Sequence, residues 1–145
     1  MKLTPLLIPA VLLIAVISCS KNGYNTKPQI TITSINTIVD SGGNLDVKLK
    51  FTDKQGDLGL GIFTSMRTRL NQRPPSSGGT ADTVLSTVPS FPNLTTGEFE
   101  FTLPYQILNE STQENDTAIF KFAVVDRAGN KSDTITSPKV VILYH

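Results

Sequence analysis

The chain has 145 residues, with 13 basic and 12 acidic side chains, a formal net charge of +1 and no run of like charge. This balance disfavours nucleic acid as a partner. A single cysteine excludes an intramolecular disulfide, so burial and hydrogen bonds must hold the fold. The length suffices for one domain with a substantial core.

The first eighteen residues predict a cleaved export signal. Lys2 supplies a positive start, and an almost wholly apolar segment from Leu3 to Ile17 follows. This segment is shorter than the roughly 20 residues that a transmembrane helix needs. We therefore expect residues 1–18 to be removed and the mature chain to begin at Cys19.

The end of this segment, from Val16 to Cys19, resembles the lipobox of bacterial lipoproteins. In that family the cysteine thiol receives a diacylglycerol, and acyl chains such as palmitate hold the protein at a membrane. The resemblance implies lipidation of Cys19 and a place in the cell envelope, at the outer membrane, with the periplasmic and surface faces both left open. The alternative is a general signal peptide that carries an incidental cysteine.

Residues 19–28 are polar and turn-rich, which predicts a flexible tether before a domain of residues 29–145. Within the domain, short runs alternate between apolar and polar residues, the pattern of β-strands. The clearest example places Leu45, Val47, Leu49 and Phe51 on one face. The expected strands span residues 29–35, 45–51, 62–70, 83–88, 98–103, 117–125 and 140–143.

Three of these segments have features that affect their predicted place in a sheet. Residues 62–70 also fit a helical stripe, but their threonines favour a strand. Residues 117–125 are apolar on both faces apart from Lys121, which predicts a central strand covered on each side. Pro138 predicts that the last strand is broken or lies at a sheet edge.

About seven short strands and no clear helix predict an all-β fold, a single immunoglobulin-like β-sandwich. Two segments carry a resemblance. Residues 122–132 resemble the penultimate strand and turn of bacterial immunoglobulin-like and fibronectin-type domains, and residues 51–59 are similar to a loop of surface lipoproteins of the Bacteroidota. The resemblance implies an exported lipoprotein with this fold and names no activity.

In such a sandwich, the loops at residues 53–61 and 126–131 lie at the same end. Asp53, Asp57, Asp126 and Asn130 would then offer the hard oxygen ligands that Ca²⁺ prefers, and no other cofactor is expected. The alternative is that these side chains only form turns. The absence of the terminal glutamate of a calcium loop favours that alternative.

The sequence disfavours an enzyme. His145 is the only histidine and Cys19 the only cysteine, which excludes a Ser-His-Asp triad, a Cys-His pair and a His/Cys zinc site within the domain. Arg67 and Arg69 share a strand face with Phe63 and Ser65, and we interpret this cationic strip as a solvated sheet face. The alternative is that it binds an acidic partner or a glycan.

Three Asp-Thr-apolar triplets resemble the O-glycosylation acceptor of exported Bacteroidota proteins, which implies candidate glycans on Thr83, Thr117 and Thr134. The alternative is that Asp-Thr pairs simply open strands.

The leading hypothesis is a non-enzymatic binding or adhesion module, anchored to the membrane through Cys19, for a surface protein or glycan. The alternatives are a structural or accessory subunit of an outer-membrane assembly, and a metal-assisted hydrolase.

Overall fold

The computed structural model describes residues 26–76 and 82–144. The predicted signal peptide, Cys19, most of the tether and His145 lie outside these residues. The described part of the chain forms nine strands and one helix: β1 Gln29–Ile35, β2 Ile38–Val39, β3 Asn44–Thr52, β4 Ile62–Arg69, β5 Thr83–Thr87, β6 Thr96–Pro104, α1 Tyr105–Leu108, β7 Asp116–Val125, β8 Ile135–Thr136 and β9 Val140–Ile142.

The strands form two sheets. The three-stranded sheet has the order β1-β3-β6, and the six-stranded sheet has the order β2-β9-β7-β4-β5, with β8 paired to β7. All of these pairs are antiparallel except β2 with β9. The all-β sandwich that the alternating pattern predicts is therefore confirmed. Across residues 26–76 and 82–144, no helix is long and apolar enough to span a membrane.

The core lies between the two sheets. Along β3 the predicted apolar face is fully buried, whereas Lys48 and Lys50 point to solvent. The seven phenylalanines all belong to this core or pack against it. The ring of Phe63 lies 4.6 Å from that of Phe101 and 5.8 Å from that of Phe122, so the aromatic side chains link β4, β6 and β7.

Three details differ from the sequence prediction. The strands β2 and β8 were not predicted, because two residues are too few to show an alternating pattern. The strand β7 is central in its sheet, but among the described residues no layer covers its outer face, where Lys121 is exposed and Ile119 half-buried. Pro138 breaks the last strand into β8 and β9, and β9 lies between β2 and β7 rather than at an edge.

Candidate functional site

Two loops meet at the end of the sandwich where β3 and β7 finish. The backbone N–H of Arg127 donates to the carbonyl oxygen of Asp57 at 3.3 Å, and the N–H of Ala128 donates to Asp57 Oδ2 at 3.1 Å. These bonds bring Asp53, Asp57 and Asp126 together, with one carboxylate oxygen of each within 4.8 Å of the others. We call these three residues the aspartate cluster.

Asp53 and Asp126 are buried, and both shape their own loops. Asp53 accepts the backbone N–H groups of Gln55 at 3.2 Å and of Asp57 at 2.9 Å. Asp126 accepts the backbone N–H of Asn130 at 2.7 Å and its side-chain Nδ2 at 2.9 Å. These are side-chain turns, in which each carboxylate accepts backbone donors of its own loop.

Asp57 differs from the other two acids of the cluster. Its Oδ2 accepts the N–H of Ala128, whereas its Oδ1 is buried and accepts no hydrogen bond from a described residue. Burial raises the pKa of Asp57 above its ordinary value of 3.8, and the nearby charges of Asp126 and Asp53 raise it further. The folded protein therefore favours either a proton or a cation at this carboxylate.

The cluster meets part of the requirement for Ca²⁺. It supplies three carboxylate oxygens, whereas the ion takes six to eight oxygen ligands. Asn130 lies beside the cluster as predicted, but it donates its Nδ2 to Asp126 and to Gln55, so its nitrogen rather than its oxygen faces the acids. Calcium binding by these four residues stays a prediction.

We expect Asp57→Asn to make the protein more stable at neutral pH. The raised pKa means that the folded state binds this proton more tightly than the unfolded state. The resulting stabilisation is full below pH 3.8 and is lost as the pH rises through the folded-state pKa. Asparagine carries no charge, and its N–H₂ group can face Asp53 and Asp126. Thermal unfolding from about pH 3 to about pH 8 should show an advantage for the variant that fades as the solution becomes acidic.

Asp133→Asn is the control, because Asp133 is largely exposed and pairs with Lys27 at the surface. An advantage for Asp57→Asn that does not depend on pH would contradict the argument.

Thermal unfolding with calcium and with a chelator distinguishes calcium binding by the aspartate cluster from a role in forming turns only. Calcium binding requires a higher melting temperature for the wild type but not for Asp57→Asn, and superimposable wild-type curves would leave only the turn-forming role.

At the other end of the sandwich, the two arginines of β4 are not a solvated strip, and that expectation is wrong. Arg67 is buried, forms an ion pair with Glu110 and donates to the carbonyl oxygen of Ile107 at 3.1 Å. Arg69 Nε donates to Asp116 Oδ1 at 2.7 Å. Glu110 lies in the loop between α1 and β7, and Asp116 is the first residue of β7, so both cations pair with acids of the fold itself.

The three predicted glycosylation sites lie in different surroundings. Thr83 begins β5 and Thr134 precedes β8, and both are exposed. Thr117 is half-buried in β7, and its backbone N–H donates to Asn71 Oδ1 at 2.7 Å. Access for a glycosylating enzyme is therefore best at Thr83 and Thr134, and the modification itself stays a prediction.

No family model matches this chain, and no curated protein matches it. Its fold is similar to that of a cohesin module from a Clostridium perfringens ATCC13124 family 33 glycoside hydrolase, with a TM-score of 0.42 and 15% identity over 83% of this chain and 99% of the module. It is also similar to the SrpA adhesin (R347E mutant) from Streptococcus sanguinis, with a TM-score of 0.37 and 21% identity over 83% of this chain and 58% of the adhesin.

A β-glucosidase from Listeria innocua gives a TM-score of 0.41 and 8% identity over 81% of this chain, which corresponds to only 16% of the enzyme. At these identities and TM-scores, none of the three similarities indicates what this chain binds. The architecture described above rests on the strands and their pairing alone.

Proposed function

We propose that the protein is a lipid-anchored, non-catalytic module of the cell envelope that binds another protein. The anchor is Cys19, at the junction between the apolar leader and the polar tether. Several acyl chains would supply the attachment, since each buried CH₂ contributes about 0.8 kcal/mol, whereas a nearly neutral domain gains little electrostatic attraction to a membrane.

One observation carries the non-catalytic part of the proposal: four acids with buried side chains, Asp53, Asp126, Asp116 and Glu110, are bound to structural groups. Asp53 and Asp126 accept donors from their own loops. Asp116 and Glu110 pair with the arginines of β4. A carboxylate-only hydrolase needs two acids that face a substrate, one as general acid and one as base or nucleophile. Buried acids with these structural partners are poorly placed for either role.

The aromatic side chains favour a protein over a glycan as the partner. All seven phenylalanines lie in the core or against it, and Tyr105 is buried with its hydroxyl donating to the carbonyl oxygen of Leu143 at 2.9 Å. Tyr144, after the last strand, is the one exposed aromatic residue in the described part of the chain. The sheet faces thus lack the exposed rings on which sugar rings could stack, whereas threonine, lysine and aliphatic side chains suit a polypeptide.

The tether would join the domain at the end that carries the aspartate cluster. Gln29, the first residue of β1, pairs with Thr52, immediately before Asp53. Lys27 forms an ion pair with Asp133 beside the same loops. The ten residues from Cys19 to Pro28 can span at most about 33–36 Å, so a lipid on Cys19 would keep the domain close to the bilayer surface.

The anchor is tested by metabolic labelling with an alkyne analogue of palmitate, together with the intact mass of the mature protein. We expect label on the wild type and a mature chain that begins at a modified Cys19. Cys19→Ser should lose essentially all of the label, because it removes the thiol that is acylated, whereas the neighbouring Ser20→Ala should keep it. An unlabelled wild type, or a mature chain that begins at another residue, would contradict the anchor.

The binding role is tested by purifying the full protein from detergent-solubilised native membranes. A protein recovered in stoichiometric amount supports the proposal. Recovery of the protein alone, or with polysaccharide as its companion, contradicts protein binding and leaves the anchor unaffected.

A further inference from the structure

The outer faces of the two sheets differ in charge. On the three-stranded sheet, bases and acids stand opposite each other, with Lys48 facing Glu100 and Lys50 facing Glu98 across the β3–β6 pair. On the six-stranded sheet, the outward residues of β4, β5, β7 and β8 include one lysine, Lys121, and no carboxylate. The first face balances its own charges. The second is cationic.

A second cation extends this face. Lys131 bridges to Val125, so it stands beside the outward end of β7. Both Lys121 and Lys131 are exposed, and neither forms an ion pair with a residue in the described ranges. Asp133, in the turn that follows Lys131, pairs with Lys27. The two ammonium groups therefore keep their charge available to a partner.

Apolar side chains lie next to these lysines. A shallow groove of about 420 Å³ runs between them, with Met66 and Ala123 among its lining residues. Met66 is 44% exposed and Ile62 51% exposed on β4, and Leu85 is 68% exposed on β5. These residues share the outer face, because each lies opposite an outward residue of the neighbouring strand. Clustered exposed aliphatic side chains of this kind typify a protein contact surface.

We propose that this face docks a protein segment that carries an apolar side chain between two carboxylates. Lys131 stands at the level of Val125, four residues from Lys121 along the direction of β7. At about 3.3 Å per residue, the two carboxylates would lie roughly 13 Å apart. Charge complementarity with Lys121 and Lys131 favours an acidic partner segment. The apolar side chain of that segment would bind in the groove between the two lysines. This inference rests on the proposed binding function and names the chemistry of the partner.

A second copy of the chain fits this face poorly. A two-fold face-to-face contact would place the lysines of one copy near those of the other without a carboxylate between them. Self-association through this face is therefore an outcome that would overturn the inference.

The test places a photoreactive benzoylphenylalanine at Thr136 in the full chain, in intact cells. Thr136 is exposed and lines the groove, and Thr31 on β1 is the matched exposed position on the other sheet. We expect a protein adduct from position 136 whose cross-linked segment carries at least two acidic residues. The double change Lys121→Glu with Lys131→Glu should lower its yield about tenfold or more, and Lys48→Glu with Lys50→Glu should leave it within about twofold.

A defined probe gives a second, independent measurement. It is a short fluorescent peptide of alternating valine and threonine with an aspartate near each end, and its counterpart carries lysines instead of the aspartates. Anisotropy titration of the detergent-solubilised protein should show binding of the acidic peptide that weakens with added salt and with reversal of Lys121 and Lys131. Equal binding of both peptides, or none, would count against the inference.

The outcomes separate this inference from the proposed function. An acidic adduct at position 136 that depends on the two lysines supports both. An adduct only from Thr31 keeps a protein-binding module but overturns the assigned face. An adduct at position 136 that charge reversal leaves unchanged overturns the acidic chemistry assigned to the partner. An adduct with a second copy or with lipid, or no adduct at position 136, also overturns it.

Discussion

Replacing Arg67 with methionine should lower the free energy of unfolding by about 3 kcal/mol, at the lower end of the range for breaking one partner of a buried ion pair. The guanidinium group is the ion-pair partner of Glu110, whose side chain is only 5% exposed. Removing it leaves that carboxylate in a low-dielectric site with less compensation. The loss is moderated because Arg69 Nε stays 3.9 Å from the same carboxylate. Urea unfolding of the purified protein measures the change.

Two further variants make this result interpretable. Asp82 also lies 3.4 Å from Arg67, but its side chain is 68% exposed, so Asp82→Asn should cost less than about 1 kcal/mol. Combining Arg67→Met with Glu110→Leu removes both buried charges and should restore most of the lost stability. If Arg67→Met is as mild as Asp82→Asn, or if the double variant is the least stable of the three, the network does not hold this end of the sandwich together.

The arginines also show what an alternating pattern does and does not reveal. The sequence correctly predicts that Phe63, Arg67 and Arg69 share one face of β4, because side chains alternate along a strand. It does not reveal which face is buried. Ile62 and Met66 make the opposite face look equally apolar. The acids that neutralise the arginines lie far along the chain, Glu110 in the loop after α1 and Asp116 at the start of β7.

In β3, unlike β4, the sequence does reveal which face of the strand is buried. Its apolar residues all lie on one face and its charged residues on the other, so composition alone decides which side is buried. The same contrast is present in β6, where Glu98 and Glu100 are exposed as expected. The long strands were therefore predictable from local pattern, whereas β2 and β8 exist only because a neighbouring strand pairs with them.

The aspartate cluster was partly predictable from the sequence. The general topology of β-sandwiches predicts that Asp53, Asp57 and Asp126 lie at the same end of the sandwich. The structure places the three carboxylates together. The properties of the cluster were not predictable. The raised pKa of Asp57 depends on its burial and on its distance from the other two acids, and the direction of the Asn130 amide depends on its bond to Asp126. Both follow from how closely the two loops approach each other.

Gly61 controls that approach, and Gly61→Ala should lower the free energy of unfolding by about 3 kcal/mol. A Cβ atom at this position would overlap the carbonyl oxygen of Val125 and lie 2.8 Å from that of Leu58. Both atoms belong to the backbone, so no side-chain rotation relieves the clash. The loop at residues 53–61 must move away from the end of β7, which would separate Asp57 from the N–H groups of the opposite loop.

Gly129→Ala is the matched control, because Gly129 lies in the opposite loop with φ +88° and has open space where a Cβ would be placed. It should cost only the roughly 1–2 kcal/mol of left-handed strain. Carboxyl titration by NMR adds a readout of loop separation. In Gly61→Ala the pKa of Asp57 should fall back towards 3.8 as its burial and its contact with Asp53 and Asp126 weaken, whereas in Gly129→Ala it should stay raised. An equal loss of stability in both variants, with the pKa of Asp57 unchanged, would show that close packing at Gly61 does not assemble the cluster.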